Sequence, residues 1–133
     1  ADVLVDLRLP APVPRLRCSH DALQQVLLNL LFNACHAFKE SPGPHCVSVT
    51  LEQFDNSRAV LRVADNGPGV PDAIKARIFD PFFTTKETGS GTGLGLAVSR
   101  QLIDNAGGKL TLADMLDGGA VFSIELDVFP EEA

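Results

Sequence analysis

No apolar run in this 133-residue chain approaches the ~18–20 residues that a membrane-spanning helix requires. The densest stretch, Val26 to Phe38, is interrupted by Asn29, Asn33 and His36. No secretory or transit signal opens the chain, because Ala1 to Leu9 carries Asp2, Asp6 and Arg8. Basic residues are few: 11 Lys and Arg stand against 17 Asp and Glu, a net charge of −6. That balance excludes the broad basic footprint of a nucleic-acid binder. The three cysteines, Cys18, Cys35 and Cys46, form no CxxC pair, and an odd count closes no disulfide framework. Free, mostly buried thiols in a reducing cytosol are expected. There is no internal repeat and no low-complexity linker. The length suits one domain spanning 1–133. A chain opening on Ala1 rather than Met is expected to be a piece of a longer protein.

Val3, Val5, Leu7 and Leu9 alternate with Leu4, Asp6 and Arg8, predicting a first strand stopped by Pro10, Pro12 and Pro14. Ser19 or Asp21 caps a helix expected to run to about Glu40, and Ser41-Pro42-Gly43-Pro44 ends it. Two alternating runs, 47–52 and 59–64, flank an Asp55-Asn56-Ser57 turn and predict two strands. A short helix is expected over Pro71 to Phe79, a loop to Thr92, and a helix over Gly93 to Asn105 ahead of Gly107-Gly108. Strands at Leu110–Leu112 and Phe122–Val128 follow, joined at Asp117-Gly118-Gly119. About five strands and three helices predict a two-layer α/β sandwich with helices on one sheet face. Adjacent strands without intervening helices argue against a doubly wound sheet.

Gln25, Asn29, Asn33 and His36 fall within about 80° of arc on the first helix. The other residues are so apolar, with Leu28, Leu31, Cys35 and Phe38 forming one row, that the helix reads as buried. A buried amide stripe must then meet loop backbone or line a wet cavity. Amide oxygens there suit Mg²⁺ beside phosphate. Asp65 continues the phase of Ala59, Leu61 and Val63, so its carboxylate should face the core at the strand's end. It is either a turn cap or an acceptor for a donor such as a purine amine. Gly67 and Gly69 allow backbone to turn there and approach a ligand. Gly89-Ser90-Gly91-Thr92-Gly93-Leu94-Gly95-Leu96 runs into a helix start, where exposed N–H groups and the helix dipole favour phosphate. The string matches neither GxGxxG nor GxxxxGK[ST]. Phe82 and Phe83 read as loop anchors, and Lys86 as either a surface cation or a phosphate ligand.

Asn29-Leu-Leu-Phe-Asn33-Ala34-Cys35-His36-Ala37, Asp65-Asn-Gly-Pro-Gly69, Asp80-Pro-Phe-Phe-Thr-Thr-Lys86 and Gly89-Ser-Gly-Thr-Gly-Leu-Gly-Leu96 occur in that order. Together they resemble the N, G1, F and G2 boxes of the Bergerat-fold ATPases, in the version found in sensor histidine kinases. Phe82-Phe83-Thr84-Thr85-Lys86 looks most like the nitrogen-regulatory and dicarboxylate-sensor branch. The resemblance covers nearly the whole chain. It implies a mixed sheet covered on one face by helices, with a glycine-rich ATP lid. Asn33 would hold Mg²⁺ with Asn29 beside it, and Asn29, Asn33 and Lys86 would be the catalytic set. The ATP site would add His36, Ala37, Asp65, Gly67, Gly69, Val70, Phe82, Thr85, Gly91, Thr92, Gly93, Leu94, Gly95 and Leu96. His36 stands where relatives often carry a basic or amide residue facing the phosphates.

By the same resemblance, the acceptor would be a histidine on a separate helical hairpin of a dimeric parent kinase. A response-regulator receiver domain would follow. The domain would be cytoplasmic, without membrane contact, and its parent would be anchored in the inner membrane. Three other readings compete. An ATP-hydrolysing switch of the gyrase, mismatch-repair and chaperone kind places a Glu four residues before the helix Asn, where this chain has Asn29. A nucleotide-gated interaction module would bind ATP without transfer. A protein-serine kinase of the same superfamily would form an acid-stable product. None of His20, His36 and His45 is a suitable acceptor, so the chain alone is expected to bind ATP without phosphorylating itself.

Overall fold

The computed structural model describes residues 3–40, 42–81, 95–115 and 118–129. Five strands form one mixed sheet in the order β1-β2-β3-β5-β4. They are β1 (Val3–Arg8), β2 (His45–Gln53), β3 (Arg58–Asp65), β4 (Lys109–Asp114) and β5 (Ala120–Asp127). β1 runs parallel to β2, and every other neighbouring pair is antiparallel. The helices are α1 (His20–Ala37), α2 (Asp72–Lys75) and α3 (Gly95–Asn105), with a 3-10 turn over Phe38–Glu40. This is the expected two-layer α/β sandwich.

The core follows from period-two patterning in register. Val49, Val63, Phe122 and Leu112 make one cross-strand row, and Leu51, Leu61, Ile124 and Leu110 the next. Against these rows α1 lays Val26, Leu30 and Ala34, one per turn and all buried. Ser19 starts α1 by accepting the Ala22 N–H at 3.1 Å. The end of α3 is closed by two bonds: Gly108 N–H to the Ile103 carbonyl (2.9 Å) and Gly107 N–H to the Asp104 carbonyl (3.0 Å). Gly107 has φ +79°, the left-handed position that this closure needs.

Several local expectations are corrected. The α-helical part of α1 stops at Ala37 rather than Glu40, and the chain tightens into a 3-10 turn before Pro42. The helix expected to reach Phe79 is only α2, Asp72–Lys75, followed by turns closed by Arg77 N–H to Ile74 and Asp80 N–H to Arg77. β1 is the strand expected there, although Leu4, Val5 and Leu7 are all more than half exposed. It pairs only with β2 at the sheet edge, beyond the buried rows that the helices cover. α1 is likewise not buried on most sides, since Leu28, Phe32 and Cys35 are exposed. Its apolar width exceeds the face that the sheet can cover. The thiols are not mostly buried: Cys18 and Cys46 are half-buried and Cys35 is exposed.

Candidate nucleotide site

The buried rows of the sheet end in a charge. Asp65, the last residue of β3, stands opposite Val47 and is one of two buried polar side chains among the described residues. Its Oδ1 accepts the Gly67 N–H at 2.9 Å and, more weakly, the Ala120 N–H at 3.4 Å. Among the described residues no donor reaches Oδ2. Burial pushes the carboxyl pKa upward, and the two N–H groups offset part of that shift. A carboxylate held this way can accept a hydrogen bond from a ligand amine without moving.

Glycine lets backbone press against it from two sides. Gly69 has φ +81° and Gly119 has φ +93°. A side chain at Gly119 would run into the Asp65 carbonyl, and one at Gly69 would meet the Gly119 carbonyl at 3.3 Å. Gly119 and Ala120 therefore back the site, although in the sequence Gly118-Gly119 reads only as a turn. Asn66 fixes the same turn from outside by accepting the Cys46 N–H (2.8 Å) and donating to the Pro44 carbonyl (3.0 Å).

α1 passes beside this turn. A Cβ placed on Gly67 would touch Ala37 and Phe38 at 3.6 Å, and Asn33 lies one turn before Ala37. Toward the other end of α1, Asn29 donates to the Gly95 carbonyl (3.1 Å) and to Ser99 Oγ (3.0 Å) on α3. Its own Oδ1 accepts from Gln25 at 3.0 Å. One edge of α1 thus runs from the start of α3 to the Asp65 turn, about 12 Å at 1.5 Å per residue. That span suits a nucleoside triphosphate.

The polar stripe divides in two. Asn29 is committed to the α1–α3 seam, whose buried partner Ser99 went unnoticed in the sequence because a lone helical serine carries no signal. Asn33 is half-buried and its side chain makes no hydrogen bond among the described residues, so its amide oxygen is of the kind that can take a hard cation. His36 and Ala37 are half-buried on the same helix, as are Val70 after the turn and Leu96 in the first turn of α3. Phe82, Thr85, Lys86, Gly91, Thr92, Gly93 and Leu94 lie outside the described residues. No group of three or more His, Cys, Asp or Glu gathers among the described residues, so a divalent ion here would rest on amide and phosphate oxygens. An open cleft of about 940 Å³ beside Val13, Phe54 and Phe129 sits at the far end of β3 and holds none of these residues.

The sequence profile described as "Histidine kinase-, DNA gyrase B-, and HSP90-like ATPase" matches residues 18–130. The chain belongs to this ATPase family. It is 44% identical over 97% of its length to the two-component sensor PprA of Pseudomonas aeruginosa, of which it covers 14%. It is 42% identical over 78% of its length to the C4-dicarboxylate transport sensor protein DctB of the same organism, of which it covers 17%. The crystal structure of full-length ShkA in complex with AMPPNP superposes with a TM-score of 0.80 at 31% identity. That match covers 98% of this chain and 27% of ShkA. Within the family this is an ATP-binding catalytic domain of the sensor histidine kinase type, and the dicarboxylate-sensor likeness agrees with DctB. No helix among the described residues is long and apolar enough to cross a membrane.

Proposed function

We propose that this domain binds Mg·ATP along the edge of α1 and presents the γ-phosphoryl group to a histidine on a helical hairpin elsewhere in its parent kinase. The observation that carries this reading is the buried, pre-oriented carboxylate of Asp65 beside the Asn33–Ala37 end of α1. Asp65 accepts the adenine amine, with Gly67, Gly69 and Val70 shaping the base pocket. Asn33 holds Mg²⁺, which when bound neutralises phosphate charge. Lys86 and the backbone of Gly91, Gly93, Leu94 and Gly95 receive the phosphates. His36, Phe82, Thr85, Thr92 and Leu96 complete the lining. Such a transfer needs charge neutralisation and in-line placement more than covalent help from the protein.

A hydrolytic switch is less well supported. Its water-activating Glu is replaced by Asn29, a group that cannot serve as a base and is already bonded to Gln25, Gly95 and Ser99. None of the chain's own histidines is a suitable acceptor. His20 starts α1 at 88% side-chain exposure, His36 lies within α1, and His45 stacks on Phe38 at 4.4 Å. The parent is read as a dimer anchored in the inner membrane, with this domain in the cytoplasm and a response-regulator receiver domain as the next acceptor. Labelled ATP, the chain and the parent's hairpin supplied in trans make the test. Acid-labile label on the hairpin and none on the chain is expected. Phosphate release without label transfer would favour the hydrolytic switch, acid-stable label a serine kinase, and binding with no turnover an interaction module.

A further inference from the structure

Contacts on separate elements close into a ring around Asp65. From Asp65 the chain runs through Gly67 and Gly69 to Val70 and into α2. In the last turn of α2, Lys75 Nζ donates to Asp114 at the end of β4, and to Asp72 Oδ1 at 2.7 Å. Asp114 is the register partner of Ala120. Ala120 returns its N–H to Asp65, and Gly119 packs on Gly69. The ring therefore joins the two walls that flank the carboxylate, 67–70 on one side and 119–120 on the other.

α2 is the weakest arc of this ring. It has four residues, no side-chain N-cap and no buried residue. A helix of one turn does not hold itself. Ile74 packs only partly on the core. The Lys75 side chain, by contrast, is 27% exposed and bridges two carboxylates, which raise its pKa. We propose that Lys75 is a positioning residue for base recognition: by tying α2 to the end of β4, it sets the spacing of the two walls on either side of Asp65. The inference rests on the reading of Asp65 as the adenine site. Both partners of Lys75 are largely exposed, so the effect is several-fold rather than a hundredfold and weakens as salt rises.

The test measures binding of ATP and of inorganic triphosphate, each with Mg²⁺, to the 133-residue chain. Triphosphate shares the phosphate contacts and lacks a base. Lys75→Met and Asp114→Asn should each weaken ATP by about three- to fivefold and leave triphosphate unchanged. Lys75→Arg should bind ATP nearly as the parent sequence does. The Lys75→Met/Asp114→Asn double variant should be no worse than either single one. Unchanged ATP affinity in both single variants overturns the inference, as does an equal loss for ATP and triphosphate. Should Lys75→Met fail to fold, Asp114→Asn breaks the same link from the more exposed side. If the unsubstituted chain binds ATP no better than triphosphate, and Asp65→Asn changes neither, the base-site reading itself falls and takes this inference with it.

Discussion

The carboxyl pKa of Asp65 lies above its ordinary value, because burial raises it more than the N–H groups of Gly67 and Ala120 lower it. The folded domain thus keeps a proton there at pH values where the unfolded chain has already lost it. Stability from this group is complete below the ordinary carboxylate pKa and is lost as pH rises through the folded value. Asparagine can still accept both N–H groups through its Oδ1 while removing the charge. Asp65→Asn should therefore leave the nucleotide-free domain at least as stable as the parent at pH 7.5, with that advantage vanishing near pH 4. Urea denaturation at the two pH values measures it. ATP affinity should fall in the same variant by about one to two decades, the worth of a charge-assisted hydrogen bond to the base. A variant that binds ATP normally would mean that the base pocket lies elsewhere. The position of Asp65 was legible from the alternation of Ala59, Leu61 and Val63. Its partner Ala120 was not, because 55 residues separate the two and only sheet pairing brings them together.

Between elements, one amide adds a polar link to the packed seam of α1 and α3. Asn29 joins Gln25 on its own helix to Gly95 and Ser99 on the other, and Ser99 is fully buried. Asn29→Ala should lower the unfolding free energy by about 1–3 kcal/mol, the cost of leaving the buried Ser99 hydroxyl without this partner. Combined with Ser99→Ala, the loss should fall short of the sum of the single losses. Strict additivity in urea denaturation would show that the two side chains act separately. Spacing alone revealed the stripe of Gln25, Asn29, Asn33 and His36, but not which members bind protein and which stay available. That division is set by the approach of α3. β1 forms as the strand that its alternation predicts, but alternation buries a face only where a second layer lies over the strand, and among the described residues none covers Leu4, Val5 and Leu7.

Across the whole domain, the candidate site draws on α1, the end of β3, the turn before β5 and the start of α3, so the described residues proposed to form it come from four separate stretches of chain. Binding should therefore stabilise the fold as one unit. At an ATP concentration one hundred times Kd, the gain is about 2.7 kcal/mol. The thermal midpoint should rise by several degrees in a single transition. A biphasic melt, or an unchanged midpoint at saturation, would contradict a site built across the fold. With a net charge of −6, the domain repels a polyphosphate unless cations and N–H groups are gathered locally, so this stabilisation should also depend on Mg²⁺.

The amino-acid order by itself determined the strand faces of β2, β3 and β5, the start of α1 to within Ser19–Asp21, the glycine closure of α3 and the four strings that point to an ATPase. Each of these is local, fixed by side-chain period, capping chemistry or backbone freedom within a few residues. Tertiary structure alone decided that Gly119 presses on Asp65, that Asn29 binds α3 while the Asn33 side chain meets no partner among the described residues, that β1 lies at the sheet edge with Leu4, Val5 and Leu7 exposed, and that Lys75 meets Asp114. Those outcomes depend on which strands become neighbours and in what register, and contacts between distant segments leave no periodic trace along the chain.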